Sequence, residues 1–243
     1  MKSLFYSLLI ATAVWGFSMI PGCKKEYVTP VVTPPPPPPP PPPIVIDSTS
    51  FTEEFQDCSE LLQKGWLIGE YSNNDSSGVS NWGQGMMGTG KTDTTWYGFS
   101  AFSYGASPDE YIYSYVDDME SNISLSAWLL TPVLTVKNGD KISFYTRGDT
   151  TRYFTDRMQV LLNKTGSEYI GHSQNSMGDF TTVMFDINAN QSAGGYPTTW
   201  TKYEYTFSGF SGTVNIRVGF RHYVDHPIKA RGVGIDQFKF ERN

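Results

Sequence analysis

The sequence is rich in side chains that can hold a sugar. Aromatic residues make up 15% of the chain. Their rings offer apolar faces to a sugar ring, while arginine can fix hydroxyl groups through paired hydrogen bonds. The candidates lie on the predicted water-facing sides of strands and in glycine-rich loops: Tyr145, Arg147, Arg217, Arg221, Tyr223, Trp82, Trp96, Tyr97, Tyr104 and Trp200. Loops on a rigid scaffold often carry binding residues, although any single aromatic could instead close an end of the core.

Residues for catalysis are harder to find. Among the histidines, His222 and His226 are four residues apart. That spacing gathers two metal ligands only on a helix, and this segment is predicted to be a strand running into a loop. The chain has no Gly-x-Ser-x-Gly sequence for an activated serine. No acidic pair stands out, although acids that meet only in the fold are invisible in a sequence. We therefore predict a protein that binds and is not an enzyme.

The stretch at residues 126–147 indicates the scaffold that positions these side chains. Two apolar runs, 128–130 and 142–144, flank an Asn138-Gly139-Asp140 turn. Asn-Gly between such runs favours a hairpin, so we predict antiparallel pairing of the two runs. Along 142–147, the even-numbered residues should face the core and the odd-numbered residues water or a ligand, because side chains alternate along a strand.

Similar short runs of aromatic and β-branched residues continue through the chain, separated by Gly, Asn, Asp and Ser. No stretch has sustained helical periodicity, although residues 59–64 could form a helical turn. The pattern predicts an all-β sandwich or barrel. Its predicted strands are 51–55, 66–68, 111–116, 127–130, 141–146, 157–163, 181–187, 202–207, 214–223 and 233–240.

The last two predicted strands carry the clearest core pattern. In 214–223, the apolar residues share one face and the arginines the other. In 233–240, Val233 and Ile235 have the opposite parity to Phe238 and Phe240. This predicts either a β-bulge near Asp236, which we favour, or burial of both faces.

The N-terminal residues predict a secreted lipoprotein. Lys2 precedes an apolar run at 4–20 that is too short and wrongly flanked for a membrane span. The run ends in Pro21-Gly22-Cys23, which looks like a bacterial lipobox with Cys23 as the lipidated first residue of the mature chain. The alternative is ordinary secretion with Cys23 lost or idle.

We expect residues 1–22 to be the signal peptide, 23–49 a proline-rich tether and 50–243 one folded domain. Ten consecutive prolines at 34–43 favour a polyproline II rod of about 30 Å. Such a rod would hold the domain clear of the lipid headgroups. A ligand for a polyproline-binding partner is the alternative.

Charge and cysteine usage exclude some functions. Loss of Lys2 with the signal would change the formal net charge from −6 to −7. An acidic chain without a basic block does not fit nucleic acid as a partner. With Cys23 lipidated, Cys58 would be the remaining cysteine, so we predict a fold without disulfides in which Cys58 is a buried apolar group.

Six segments follow one another in a recognisable order. They are WLLTP at 128–132 with NGDKISF at 138–144, DRMQV at 156–160, GDFTT at 178–182 with FDIN at 185–188, GYPTTW at 195–200, VGFRH at 218–222 and GID at 234–236. Together they resemble the choice-of-anchor J domain, a family similar to the cleaved-adhesin domains of secreted proteases and haemagglutinins. The resemblance covers residues 51–240, nearly the whole folded part.

This resemblance implies a jelly-roll-like antiparallel β-sandwich on the outside of a bacterium, with a role in adhesion or ligand binding and no catalytic residues. Related jelly-roll domains often hold a structural calcium between an acidic first strand and an aspartate of the last strand. The residues that could match are Glu53, Glu54, Asp57 and Asp236. Calcium requires six to eight oxygen ligands. Alternatively, the two glutamates are solvated and Asp236 caps a turn.

The sequence therefore predicts a lipid-anchored protein of the bacterial outer membrane, exposed at the cell surface and held to the membrane by its N-terminal lipid. Its expected ligand is a glycan. Three alternatives stay open: a protein-binding adhesin, a structural component of envelope assembly, and a hydrolase.

Overall fold

The structure is a computed structural model, and it describes residues 45–46, 49–70, 79–85, 101–116, 124–150, 154–224 and 230–243. These residues belong to a compact unit, Pro42–Asn243. Cys23, the signal segment and the whole proline run, residues 34–43, lie outside the described residues, as do Trp96, Tyr97 and His226. No helix in the described ranges is long and apolar enough to cross a membrane.

Thirteen strands and one short 3-10 turn, Cys58–Glu60, make up the described elements. The strands are β1 Val45–Ile46, β2 Phe51–Glu53, β3 Leu67–Glu70, β4 Val79–Gln84, β5 Ile112–Val116, β6 Leu125–Leu130, β7 Val133–Val136, β8 Lys141–Gly148, β9 Met158–Asn163, β10 Thr182–Ile187, β11 Thr201–Thr206, β12 Val214–Val224 and β13 Gly232–Glu241. They form two sheets packed face to face. This confirms the predicted all-β, jelly-roll-like sandwich.

The first sheet is built around β12. One edge of β12 pairs with β9, and the other pairs with β6 and then with β7. Outside these lie β10 next to β9, β3 next to β6, and β1 next to β7. All of these pairings are antiparallel except that of β1 with β7.

The second sheet has the order β11-β8-β13-β5-β4, with β2 also paired to β13. Every pairing in it is antiparallel. The predicted alternation along β8 is confirmed in part. Ile142, Phe144 and Thr146 are fully buried whereas Tyr145 and Arg147 are not, but Ser143, which was predicted to face water or a ligand, is also buried. Between the sheets, the Phe144 ring meets Phe220 edge to face at 5.0 Å, the arrangement that aromatic pairs prefer.

The predicted hairpin across Asn138-Gly139 is wrong. Residues 128–130 belong to β6 in the first sheet, and residues 142–144 belong to β8 in the second. The turn instead connects β7, a strand that sequence reasoning missed, to β8, and so carries the chain between sheets. Gly139 has φ +92°, a conformation that suits both a hairpin turn and a turn between two sheets. Side chains fix its course, since Asp140 accepts the Lys137 N–H and Asn138 bonds the backbone of Phe210.

The predicted bulge in β13 is confirmed. The pairing of β13 with β8 shifts register between Asp236 and Lys239, and Gln237 has φ +46°. At this point β13 also changes its other neighbour from β5 to β2. The bulge therefore lies where two strands end, and a loop can approach Asp236 there.

Candidate ligand-binding face

Two of the predicted binding residues, Tyr145 and Arg147, lie on the outer face of the second sheet. They alternate along β8 with core residues, so their side chains point away from the interior. Strand register places Lys202 of β11 and Asp236 of β13 on either side of Tyr145. Directly paired residues share one face of a sheet, so these side chains belong to one surface.

Tyr104 covers Tyr145 from a loop that precedes β5. The two rings are stacked, with centroids 3.9 Å apart and planes 25° apart. A hydrogen bond between the two phenol groups, together with burial, raises the pKa of Tyr145. Tyr104 remains 47% exposed. Because Tyr145 supports one side of the pair, Tyr104 is the ring that a ligand can reach.

Two hydrogen bonds fasten this loop to the sheet. The Tyr104 N–H donates to Asp236 Oδ2 at 2.6 Å, and the Trp200 indole donates to the carbonyl of Phe102 at 2.8 Å. The second oxygen of Asp236 accepts the Gln237 N–H. Burial raises the pKa of Asp236 to about 6, against the lowering effect of these bonds. The bulge thus positions Tyr104 through Asp236.

Trp200 and Arg147 extend the same surface. The Arg147 guanidinium carbon lies 5.9 Å from the centre of the Trp200 ring, within the range of a cation–π contact. Trp200 also meets the buried Tyr111 edge to face at 5.7 Å. Burial lowers the pKa of Arg147. We call Tyr104, Tyr145, Arg147 and Trp200 the aromatic platform.

The other predicted strand residues, Arg217, Arg221 and Tyr223, lie on the outer face of the first sheet, and their expected exposure is wrong. All three are buried. Arg221 donates to Ser126, to Gln159 and to the carbonyl of Gln174, and its guanidinium carbon lies 3.9 Å from the Tyr223 ring centre. Arg217 donates to three backbone carbonyls, those of Gly65, Thr131 and Gly166.

Residues 164–181 cover the outer face of the first sheet. Phe180 is fully buried and packs on Trp128 at 5.4 Å between ring centres. Gly219 lies beneath the Phe180 ring, where a Cβ would meet it at 3.0 Å. Within the cover, Gly178 has φ +52°, and a Cβ there would lie 2.0 Å from the Tyr169 carbonyl oxygen. The turn at Gly178 therefore requires glycine, and the Phe180 ring packs closely over Gly219.

Trp82, another predicted aromatic, does not join the platform. Trp82 is 4% exposed and belongs to the core between the sheets. Trp96 and Tyr97 lie outside the described residues, so their placement stays a prediction. Within the described part of the chain, the predicted candidates fall into three groups. One outer face carries Tyr104, Tyr145, Arg147 and Trp200, the covered outer face carries Arg217, Arg221 and Tyr223, and Trp82 lies in the core.

Three of the four carboxylates predicted to hold calcium are engaged in local contacts. Glu53 is paired with Lys64 at 3.2 Å. Asp57 caps the 3-10 turn through Ser59, which lowers the pKa of Asp57, and Asp236 holds two backbone N–H groups. Among the residues that the structure describes, no three His, Cys, Asp or Glu side chains are placed to hold a metal ion. The predicted calcium site stays a prediction, because calcium also takes backbone carbonyl oxygens as ligands.

A Ser-His-Asp arrangement lies in the interior, and sequence reasoning missed it. His222 contacts Ser114 through Nδ1 and Asp156 through Nε2, both at 3.0 Å. All three side chains are buried, and Asp156 also accepts the Arg231 N–H. The arrangement links β12 to β5 across the sandwich. No sequence signal could have found it, because Ser114 and Asp156 lie 108 and 66 residues from His222 along the chain.

Comparison with known proteins gives a fold and no family. No family model matches the chain, and no curated protein sequence matches it. The K2 cleaved adhesin domain of Lys-gingipain has a similar structure, with a TM-score of 0.51 and 17% identity over 80% of this chain and 100% of that domain. The K1 domain of the same protein from Porphyromonas gingivalis W83 has a TM-score of 0.49 and 16% identity, over 81% and 99% of the two chains. At this identity, the K2 likeness supports the sandwich fold alone.

Proposed function

We propose that this protein binds glycan at the cell surface through the aromatic platform, without catalysis. The observation that carries the proposal is the exposed Tyr104 ring, stacked on Tyr145 and fastened by Asp236. A stacking surface held in place before the ligand arrives avoids the entropy cost of ordering it on binding.

The groups around the stack suit a polar ligand with an apolar face. Tyr104 and Trp200 offer ring surface, and Arg147 and Lys202 carry hydrogen-bond donors on the same face. A sugar ring presents both C–H and hydroxyl groups, so it can use the two kinds of contact together. A flat protein interface would more typically be larger and carry an apolar centre.

The test is a glycan panel probed with the full chain, its Tyr104→Ala variant and its Tyr169→Ala variant. Tyr169 is the matched control, because it is 43% exposed against 47% for Tyr104 but belongs to the cover on the opposite face. We expect the wild type to bind a subset of glycans, Tyr104→Ala to bind about tenfold more weakly, and Tyr169→Ala to bind normally. Equal loss in both variants, or no glycan binding at all, would refute the proposal.

We further propose that lipidation of Cys23 and the proline tether hold the domain, residues 50–243, above the bacterial outer membrane. The lipobox-like sequence and the ten prolines support this arrangement. Fractionation of cells that express the wild type or Cys23→Ser tests it. Wild type should sediment with membranes and Cys23→Ser should be released; retention of both on membranes would contradict lipid anchoring.

A further inference from the structure

Strand β11, Thr201–Thr206, lies at an edge of the second sheet as far as the described residues show it. It pairs with β8 and with no other strand in the described part of the chain. Its side chains alternate strictly between half-buried and exposed, with Tyr203 stacked on Phe144 inside and Lys202 and Glu204 outside.

Its backbone is also oriented for pairing. The Phe207 N–H donates to the Asp140 carbonyl, which continues the β8–β11 register. In an antiparallel ladder, alternate residues direct both backbone groups to the same neighbour. The backbone N–H and C=O groups of Tyr203 and Tyr205 therefore bond to β8. Those of Lys202, Glu204 and Thr206 point away from β8.

The sequence of β11 complements itself in one register. A second copy can pair antiparallel only in registers that keep inside residues inside. With the two-fold axis at Tyr203, Lys202 of each copy lies opposite Glu204 of the other. The backbones of these two residues then exchange hydrogen bonds. With the axis at Lys202 or at Glu204, like charges meet instead, which is unfavourable.

We propose that β11 pairs antiparallel with β11 of a second copy of this chain, with Lys202 opposite Glu204 twice across the axis. A lysine on an edge strand commonly prevents such pairing. Here Glu204 of the second copy faces Lys202, so the lysine favours pairing with another copy of this strand over pairing with other strands. The second sheets of the two copies then form one continuous sheet. Its outer face carries two aromatic platforms, with their β8 strands about 14 Å apart across the strands.

Pairing of six residues on each side buries less than the roughly 1,200 Å² of a standard interface, so the dimer should be weak and concentration-dependent. Sedimentation equilibrium of the full chain in density-matched detergent measures it directly. We expect the wild type to dimerise as concentration rises and Lys202→Glu to raise the dissociation constant about tenfold, because two attractive pairs become repulsive. The Lys202→Glu/Glu204→Lys double variant should restore dimerisation.

Lys239→Glu is the matched control. Lys239 and Glu241 form an exposed ion pair on β13, with side-chain exposures of 45% and 41% against 47% and 40% for Lys202 and Glu204. β13 lies inside the sheet, so this variant should dimerise like the wild type. A monomeric wild type at every concentration, equal loss in Lys239→Glu, or no recovery in the double variant would overturn the proposal. Circular dichroism of each variant excludes unfolding as the cause.

Discussion

The two outer faces of the sandwich carry similar residue types, but one face is covered and the other is accessible to solvent. On the first sheet, Arg221 and Tyr223 lie two residues apart on one strand, as Tyr145 and Arg147 do on the second sheet. The first pair is buried under residues 164–181. The second pair is topped by Tyr104, which keeps 47% of its surface exposed.

The covering segments, and not the strands, decide which outer face stays accessible to solvent. The cover of the first sheet inserts Phe180 onto Trp128 and takes a carbonyl to Arg221, so arginine and aromatic groups satisfy one another internally. The loop over the second sheet stacks Tyr104 on Tyr145 and leaves the Tyr104 ring partly exposed. The same residue types thus stabilise one face and present a surface on the other.

The largest expected effect comes from breaking the covered face. Phe180→Ala removes a fully buried ring that packs on Trp128, so we expect the free energy of unfolding to fall by about 4 kcal/mol. Urea denaturation measures this. A loss below about 1 kcal/mol would mean that the cover is not part of the core.

A smaller loss of stability is expected from removing Arg221, which hydrogen-bonds to the cover. Arg221→Ala removes hydrogen bonds to Ser126, Gln159 and Gln174, two of which are buried. We expect about 2 kcal/mol of destabilisation, with faster hydrogen exchange concentrated in residues 164–181. Exchange that rises equally on both faces would show that Arg221 does not hold the cover specifically.

A third effect concerns the open face and depends on pH. Burial raises the pKa of Asp236 from 3.8 to about 6, so the folded protein favours the protonated acid. Its contribution to stability is therefore fully present below about pH 4 and is lost as the pH rises through about 6. The Asp236→Asn variant lacks this titration.

The unfolding free energies of wild type and Asp236→Asn, measured from pH 3.5 to 8, test this. We expect their difference to change between about pH 4 and 6 in favour of the variant and to stay constant above pH 7. Parallel curves across the whole range would show that Asp236 titrates normally and is not buried beneath the loop.

Sequence reasoning succeeded where the signal was local. The parity change around Asp236 gave the bulge, and the alternation along 142–147 gave the buried and outer sides of β8. It failed where partners are distant. Asn138-Gly139 specifies a turn but not which strands the turn joins, and the exposure of Arg221 depends on a cover 47 residues away at Gln174. The stacking of Tyr104 on Tyr145 depends on the bond to Asp236, 132 residues further along the chain.

The most direct test of the platform is hydrogen–deuterium exchange of the full chain with and without the tightest-binding glycan of the panel. We expect slower exchange in the loop that carries Tyr104, residues 101–111, and in β8 and β11, with no change in residues 164–181. Protection confined to residues 164–181 would place the binding site on the covered face and contradict it.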